Sequence, residues 1–134
     1  MTAPHNQNDT LPGVAHVASY QHFSEANGFI FVAGQVARDA NGNWVGVNDI
    51  SAQARQVWKN IGIILAQAGA DPGHIVKVST FLIDRAHGAI STQARLEFMG
   101  DHRPPHSGVI VAGLGSEEAM IEVEVIAWVP PNGA

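Results

Sequence analysis

Cysteine is absent from the 134-residue chain, which excludes disulfide bonds, thiolate metal sites and cysteine nucleophiles. Charged residues are scarce, at 14% of the chain, whereas hydrophobic residues reach 46%. This composition argues against disorder beyond the ends of the chain, and the length suits one domain with its own core. A monomer with so little charge covers its surface poorly, so the same balance weakly favours an oligomer.

Basic residues are few, and no long apolar run is present. The seven Lys and Arg are scattered, and the formal net charge is −5. A nucleic-acid-binding surface requires clustered Lys and Arg, so this balance disfavours a nucleic-acid partner. No run approaches the roughly 18–20 apolar residues of a membrane span, and the N-terminal residues do not resemble a secretory signal. We therefore expect a soluble, cytoplasmic protein without a membrane partner.

Periodicity predicts a single domain with the element order β-β-α-β-α-β-β. Residues 1–12 are polar and lack periodicity, which indicates a flexible tail, and residues 13–130 form the domain. Runs rich in β-branched and aromatic residues predict strands at 16–23, 28–36, 74–84, 107–114 and 119–129. Helices are predicted at 49–70 and 88–102. Both helices fall between strands, so they can cover one face of a single mixed sheet.

The two predicted helices differ in the strength of their patterns. In the first, Asp49 or Ser51 can cap the start, and apolar residues recur at three- and four-residue spacing. These apolar positions are Ala54, Val57, Trp58, Ile61, Leu65 and Ala68. In the second, shorter helix, we expect Ile90, Ala94 and Phe98 to face inward.

The final strand, within "MIEVEVIAW", alternates between two faces. One face is wholly apolar and should pack against the helices. Its residues are Ile121, Val123, Val125 and Ala127. The other face carries Glu122 and Glu124, followed by Ile126 and Trp128, a mixture that is uncommon on a solvated surface. It indicates packing against another subunit, with a carboxylate in a partly enclosed cleft; an exposed strand with two solvated glutamates is the alternative.

The stretch "HRPPHSG" at 102–108 holds two histidines around two prolines. His102 and His106 have a spacing that would suit zinc on a helix, but the prolines exclude that helix and no third ligand is evident. We therefore predict no metal site. A histidine after a Pro-Pro turn is either part of a solvated turn or part of a binding-site wall, and the pattern alone leaves both open.

Several segments together resemble one family. They are "YQHFSEANGFIFVAGQV", "DISAQARQVWKNIGIILAQAGA", "IVKVSTFLID", "HRPPHSGVIVAGL" and "MIEVEVIAW", and the likeness extends from about residue 13 to residue 129. On these segments the chain resembles the Rid family, the reactive intermediate deaminases of the YjgF type.

The resemblance implies an α+β, chorismate-mutase-like fold with a mixed sheet and two helices on one face. Members of the family form homotrimers whose sheets line a central barrel, and a small-molecule substrate or ligand occupies clefts between subunits. Characterised members hydrolyse enamines and imines to carbonyl compounds and ammonia without a cofactor. We therefore expect a homotrimer that needs no cofactor.

The family's site residues transfer to this chain position by position. Glu122 matches the glutamate that positions the attacking water, and Gly108 matches a residue whose backbone acts at the reaction centre. These two are the predicted catalytic residues. The predicted substrate-binding residues are Tyr20, Phe31, Ala33, Thr92, His106 and Ser107.

One position departs from the family pattern. Where the family motif P-A-R-S-C carries an arginine that binds the substrate carboxylate, this chain has His106. Histidine lacks the planar fork of arginine and is often uncharged at neutral pH. We therefore expect an imine or enamine deaminase whose substrate is not a simple 2-imino acid. The alternative is a non-catalytic, trimeric small-molecule-binding protein of the same fold.

Overall fold

The element order predicted from the sequence is confirmed in the computed structural model, which describes residues 11–131. The strands are β1 (Phe23–Ala26), β2 (Phe29–Gln35), β3 (Ile75–Leu82), β4 (His106–Ile110) and β5 (Ile121–Trp128). The helices are α1 (Ile50–Gln67) and α2 (Gly88–Met99). Most of the predicted tail lies outside the described residues; Leu11, near its end, is buried in the core.

The five strands form one mixed sheet in the order β1-β2-β5-β3-β4. β5 lies at its centre, antiparallel to both β2 and β3, and β4 lies parallel to β3 at one edge. The connection between the parallel strands contains α2, as such a crossover requires. Among the described residues, no helix has both the length and the apolar character needed to cross a bilayer.

α1 supplies most of the helical side of the core. Asp49 is its N-cap and accepts a hydrogen bond from Ala52 N at 3.1 Å, which decides between the two predicted caps. The predicted apolar positions are buried, except that Ala68 is only partly buried at the C-cap. The aromatic rings of Trp58 and Phe98 lie 4.9 Å apart and join α1 to α2.

The inward face of α2 differs from the prediction. Ala94 is buried and Phe98 packs against the core, as expected, but Ile90 is exposed. Ser91 takes the inward position instead, together with Met99. The inward face of α2 therefore begins at Ser91 rather than at Ile90 and continues through Ala94 to Phe98 and Met99.

The two faces of the sheet are unequally covered. The inward residues of β5 are between 0% and 2% exposed, which confirms that this face packs against the helices. On the opposite face Phe29, Phe31 and Trp128 are 41%, 44% and 37% exposed. No element of the described chain covers this second face, so the large aromatic side chains stand at the surface.

The first strand begins later than predicted. β1 starts at Phe23, and the two-residue turn Asn27–Gly28, with φ of 52° and 86°, joins it to β2. Asn-Gly favours a tight hairpin turn with both residues at positive φ, so this turn determines the pairing of β1 with β2. Residues 16–22, expected in the strand, instead form an irregular segment beside the sheet.

Candidate active site

A cavity of about 400 Å³ opens where the irregular segment before β1 passes over the ends of β2 and β5. Tyr20 and Glu122, two of the predicted site residues, both line it. Its other lining residues are Ala15, His16, Val17, Ala18, His22, Gly34, Gln35, Val36, Arg38, Asn60, Gly115 and Ser116. The cavity is within the range that suits small-molecule ligands.

A β-bulge in β2 shapes the floor of this cavity. The register between β2 and β5 shifts by one residue between Val32 and Gln35, so Gln35 turns toward the helices and is buried. Gly34 lies against Glu122; a Cβ atom at Gly34 would stand 2.8 Å from Glu122 Cδ and 3.0 Å from Cγ. The Glu122 carboxylate can therefore occupy its position only because residue 34 has no side chain.

The Glu122 carboxyl lies in surroundings that shift its pKa. Its carboxyl is half-buried, and burial, followed by the nearby charge of Glu124, raises the pKa of Glu122 above its ordinary value. Desolvation disfavours the charged form, and the like charge acts in the same direction. A carboxylate with a raised pKa, in a cavity large enough for a small molecule, has the character of a general base.

A histidine that sequence reasoning passed over lies beside the same cavity. His22 Nε2 is 2.7 Å from Ala15 O, and His22 Nδ1 is 3.1 Å from Gln35 Nε2. Since a carbonyl oxygen accepts and an amide nitrogen donates, these contacts fit the tautomer in which Nε2 donates to Ala15 O and Nδ1 accepts from Gln35. Gln35 Nε2 also donates to Ala33 O at 3.0 Å. The network holds the irregular segment against the bulge.

His106 lies elsewhere in the protomer. It is paired with Val78 of β3, and its Nε2 is 3.0 Å from Thr80 Oγ1 on the helix-covered face. Glu122 is paired with Phe81, which lies on the opposite face of the same sheet. Within one protomer, the structure therefore does not bring His106 and Glu122 together.

The surroundings of His106 favour its neutral form. Burial is the largest influence, and the positive charges of Arg95 and Lys77 act in the same direction, so the pKa of His106 falls below its ordinary value of 6.5. The nearby Arg103 side chain donates hydrogen bonds to Gly100 O and His102 O. It thereby caps its own turn rather than reaching His106.

The remaining predicted site residues are spread over three surfaces. Ser107 accepts a hydrogen bond from Lys77 Nζ at 2.7 Å, and Gly108 lies under the His106 ring; both are in edge strand β4. Thr92 is exposed on α2. Phe31 and Ala33 lie along β2 at the uncovered face, outside the cavity that holds Glu122.

No cluster of three or more histidine, aspartate or glutamate side chains that could hold a metal ion occurs within residues 11–131. The cavity itself contains His16, His22 and Glu122, but these side chains do not meet at one point.

Comparison with known proteins places the chain in a family. The profile of the family described as Endoribonuclease L-PSP matches residues 12–129. A RutC family protein of Pyrococcus horikoshii is 32% identical over 112 residues, which cover 84% of this chain and 88% of that protein. The chain belongs to the Rid family.

Two further matches describe what this Rid-family chain is similar to. A 3-aminoacrylate deaminase, RutC of Acinetobacter baylyi, is 32% identical over 113 residues, covering 84% of this chain and 89% of that protein. The structure of YyfA of Yersinia pestis, described as a Rid-family protein of unknown function, aligns with a TM-score of 0.85 at 31% identity. That alignment covers 95% of this chain and 100% of YyfA, so the α+β fold extends over nearly the whole chain.

The features of the cavity that the sequence of this Rid-family chain did not predict are Gly34 and the network of His22 and Gln35. A glycine inside a strand pattern is a known signal of a bulge or of close approach by another group, so Gly34 was detectable in principle. No local pattern marks His22, because its role depends on Gln35, which only the bulge brings beside it.

Proposed function

We propose that this protein is a deaminase that hydrolyses a small imine or enamine to a carbonyl compound and ammonia. The main support is the half-buried Glu122 carboxylate, which has a raised pKa and lines a cavity of about 400 Å³ together with Tyr20. The Rid family includes a relative named 3-aminoacrylate deaminase, which supports a deaminase role at the level of the family.

The proposed reaction begins when water attacks the carbon of the C=N bond. A new C–O bond forms, the π electrons move to nitrogen, and Glu122 accepts a proton from the water. Glu122 then returns that proton to nitrogen. The amino nitrogen then takes up a second proton from solvent. The C–N bond breaks and ammonia leaves as the hydroxyl group loses its proton to solvent and the carbonyl forms. One imine and one water thus give one carbonyl compound and one ammonia, without a change of redox state.

The substrate is proposed to differ from a simple 2-imino acid. The family motif has an arginine at the position of His106, and a guanidinium binds a carboxylate through two parallel hydrogen bonds. His106 has a lowered pKa and hydrogen-bonds to Thr80, so it offers neither the fork nor a charge at neutral pH. Loss of such a charge-assisted pair commonly costs about a hundredfold in affinity or rate.

We further propose that the active assembly is a homotrimer with ligands in clefts between subunits. The uncovered sheet face carries Phe29, Phe31 and Trp128, which is the kind of apolar patch that a subunit interface covers. Because His106 and Glu122 leave the sheet on opposite faces, only a second copy could bring one beside the other. The trimer therefore explains both the exposed aromatics and the separation of the two residues.

Two alternatives to the deaminase function are a non-catalytic binding protein and an endoribonuclease. A non-catalytic binding protein would keep the cavity and bind small molecules without turnover. An endoribonuclease, as the family description names it, would need to hold RNA phosphates, and a net charge of −5 with scattered basic residues disfavours that. Incubation with single-stranded RNA is therefore a useful companion assay, in which we expect no cleavage.

The deciding experiment measures hydrolysis of imines that an amino-acid or amine oxidase generates in the cuvette. Glu122→Gln should lose most of kcat, by about a hundredfold or more, because an amide cannot accept the proton. Glu97→Gln is the matched control: it removes an exposed carboxylate of α2 that does not line the cavity, and should retain activity. Equal rates for wild type and Glu122→Gln would reject Glu122 as the base.

A further inference from the structure

Arg38 is a cation of the cavity wall that the proposed reaction does not use. Its guanidinium lies over the ring of Trp44, with Cζ 4.8 Å from the ring centroid, and the side chain lines the same cavity as Glu122. Its Nε atom is buried and has no hydrogen-bond partner within the described chain. Arg38 also forms no ion pair with a carboxylate of residues 11–131.

An unpartnered buried donor is uncommon in proteins and calls for an explanation. The guanidinium has five N–H donors in a planar fork that matches the two oxygens of a carboxylate. An arginine that stacks on an aromatic ring keeps this fork free, because the ring contacts the face of the guanidinium and not its edge. Arg38 therefore has a vacant set of donors beside a ligand-sized cavity.

The backbone at Arg38 is held in place before any ligand arrives. Arg38 O accepts hydrogen bonds from Asn60 Nδ2 at 2.9 Å and from Gln56 Nε2 at 3.4 Å, so α1 ties down the residue. Arg38 also forms a β-bridge with Trp44, which fixes the ring under the guanidinium. Such a rigid support lowers the entropic cost of binding a ligand through this side chain.

We propose that Arg38 binds a carboxylate of the ligand at the wall of the cavity, while the reacting C=N group lies at Glu122. Arg38 and Glu122 line one cavity without forming an ion pair, so a ligand can lie between them. The expected substrate class is thus a small imine or enamine whose carboxylate is separated from the reacting carbon. The placement of the reacting end rests on the proposed function; the carboxylate site does not.

The first test is binding of levulinate, which carries a ketone and a remote carboxylate and has no nitrogen to hydrolyse. Its neutral counterpart is 2-pentanone, and both are titrated by ligand-observed NMR. We expect wild type to bind levulinate at least about tenfold more tightly than 2-pentanone. Arg38→Met keeps an unbranched chain over Trp44 and should remove this preference, whereas Arg38→Lys, which keeps the charge but not the fork, should retain part of it.

Arg55→Met is the matched control, because Arg55 is exposed on α1, does not line the cavity and donates a hydrogen bond to Ser51 of its own helix. It should bind levulinate as wild type does. Circular dichroism and light scattering verify that each variant is folded and assembled. Equal levulinate affinity in wild type, Arg38→Met and Arg55→Met would overturn the proposal, as would a wild type that binds the two ketones equally.

The second test is kinetic and separates this inference from the proposed function. For an imine with a remote carboxylate, Arg38→Met should raise KM about tenfold or more and change kcat little, while a neutral imine should show no effect. If wild type hydrolyses no imine but binds levulinate, and Arg38→Met does not bind it, the deaminase function is refuted and the carboxylate site is supported. An unchanged KM for the carboxylate imine in Arg38→Met would overturn the role of Arg38.

Discussion

Replacement of Gly34 by alanine tests whether the bulge in β2 serves the Glu122 carboxylate. The added Cβ would lie 2.8 Å from Glu122 Cδ and nearer still to Oε2, whereas ordinary contact between such atoms begins at 3.4 Å, so the carboxyl group must move by more than about 0.6 Å. A displacement of this order at a catalytic group commonly lowers kcat by about tenfold to a hundredfold. We expect that loss in Gly34→Ala.

Stability should respond much less than activity. Glu122 is only half-buried and its side chain is flexible, so it can move aside and relieve most of the contact. Gly34 also has no left-handed backbone angle, so alanine there gains about 0.4–1 kcal/mol from the unfolded chain. Against an overpacking cost of about 1–3 kcal/mol, the net loss in the free energy of unfolding should lie between about 0 and 2.6 kcal/mol.

The assay compares imine hydrolysis and urea unfolding for wild type, Gly34→Ala and Gly88→Ala. Gly88, at the start of α2, serves as the matched control, because a Cβ added there would have no other atom within 4 Å. If Gly34→Ala lowers kcat through Glu122, adding it to Glu122→Gln should not lower kcat further. Unchanged kcat in Gly34→Ala, or full additivity in the double variant, would refute the link.

Three further outcomes follow from the same contacts. The raised pKa of Glu122 means that its ionised form is unfavourable in the folded state, so Glu122→Gln should have a higher Tm than wild type at about pH 7.5. This gain in Tm should vanish near pH 4, where the Glu122 carboxyl of wild type is itself protonated, and a gain that does not depend on pH would contradict the burial effect. Wild type should hydrolyse 2-imino acids poorly at about pH 7.5, because the lowered pKa of His106 keeps its imidazole uncharged there, and His106→Arg should raise kcat/KM at that pH. Strong wild-type activity that survives His106→Ala would show that another residue holds the anion. Phe31→Lys places a charge on the exposed apolar face and should dissociate the proposed trimer, as measured by light scattering. If wild type is already monomeric at micromolar concentration, the proposal of a cleft shared between subunits is wrong.

The parts of the fold that depend on residues close together in the chain could be predicted from the sequence alone. Apolar spacing predicted α1, Asp49 was a candidate for its N-cap, and the alternation in β5 separated the helix-facing residues from Glu122 and Trp128. The face of α2 was harder to assign, because small residues such as Ser91 pack inward while carrying little periodic signal. Local patterns therefore predicted which elements form and, for the strong patterns, which side is buried.

The candidate site could be predicted from the sequence only in part, because it depends on contacts that local patterns do not encode. Glu122 and Tyr20 were selected by resemblance to the family, and the structure places both at one cavity. Resemblance in sequence did not reveal that His106 points to the opposite face from Glu122. A motif specifies which residues are present, whereas the face on which each one lies depends on strand pairing.

By itself, the sequence determined the family, the order of the elements and the uneven covering of the sheet, since these follow from composition, periodicity and turn residues such as Asn27–Gly28. Only the tertiary structure decided the contents of the cavity. Gly34 and Glu122 are far apart in the chain and meet because a one-residue bulge shifts the register of β2 against β5. Arg38 reaches the same cavity because α1 holds its backbone through Asn60. Contacts between distant segments depend on register and packing, which no local pattern encodes.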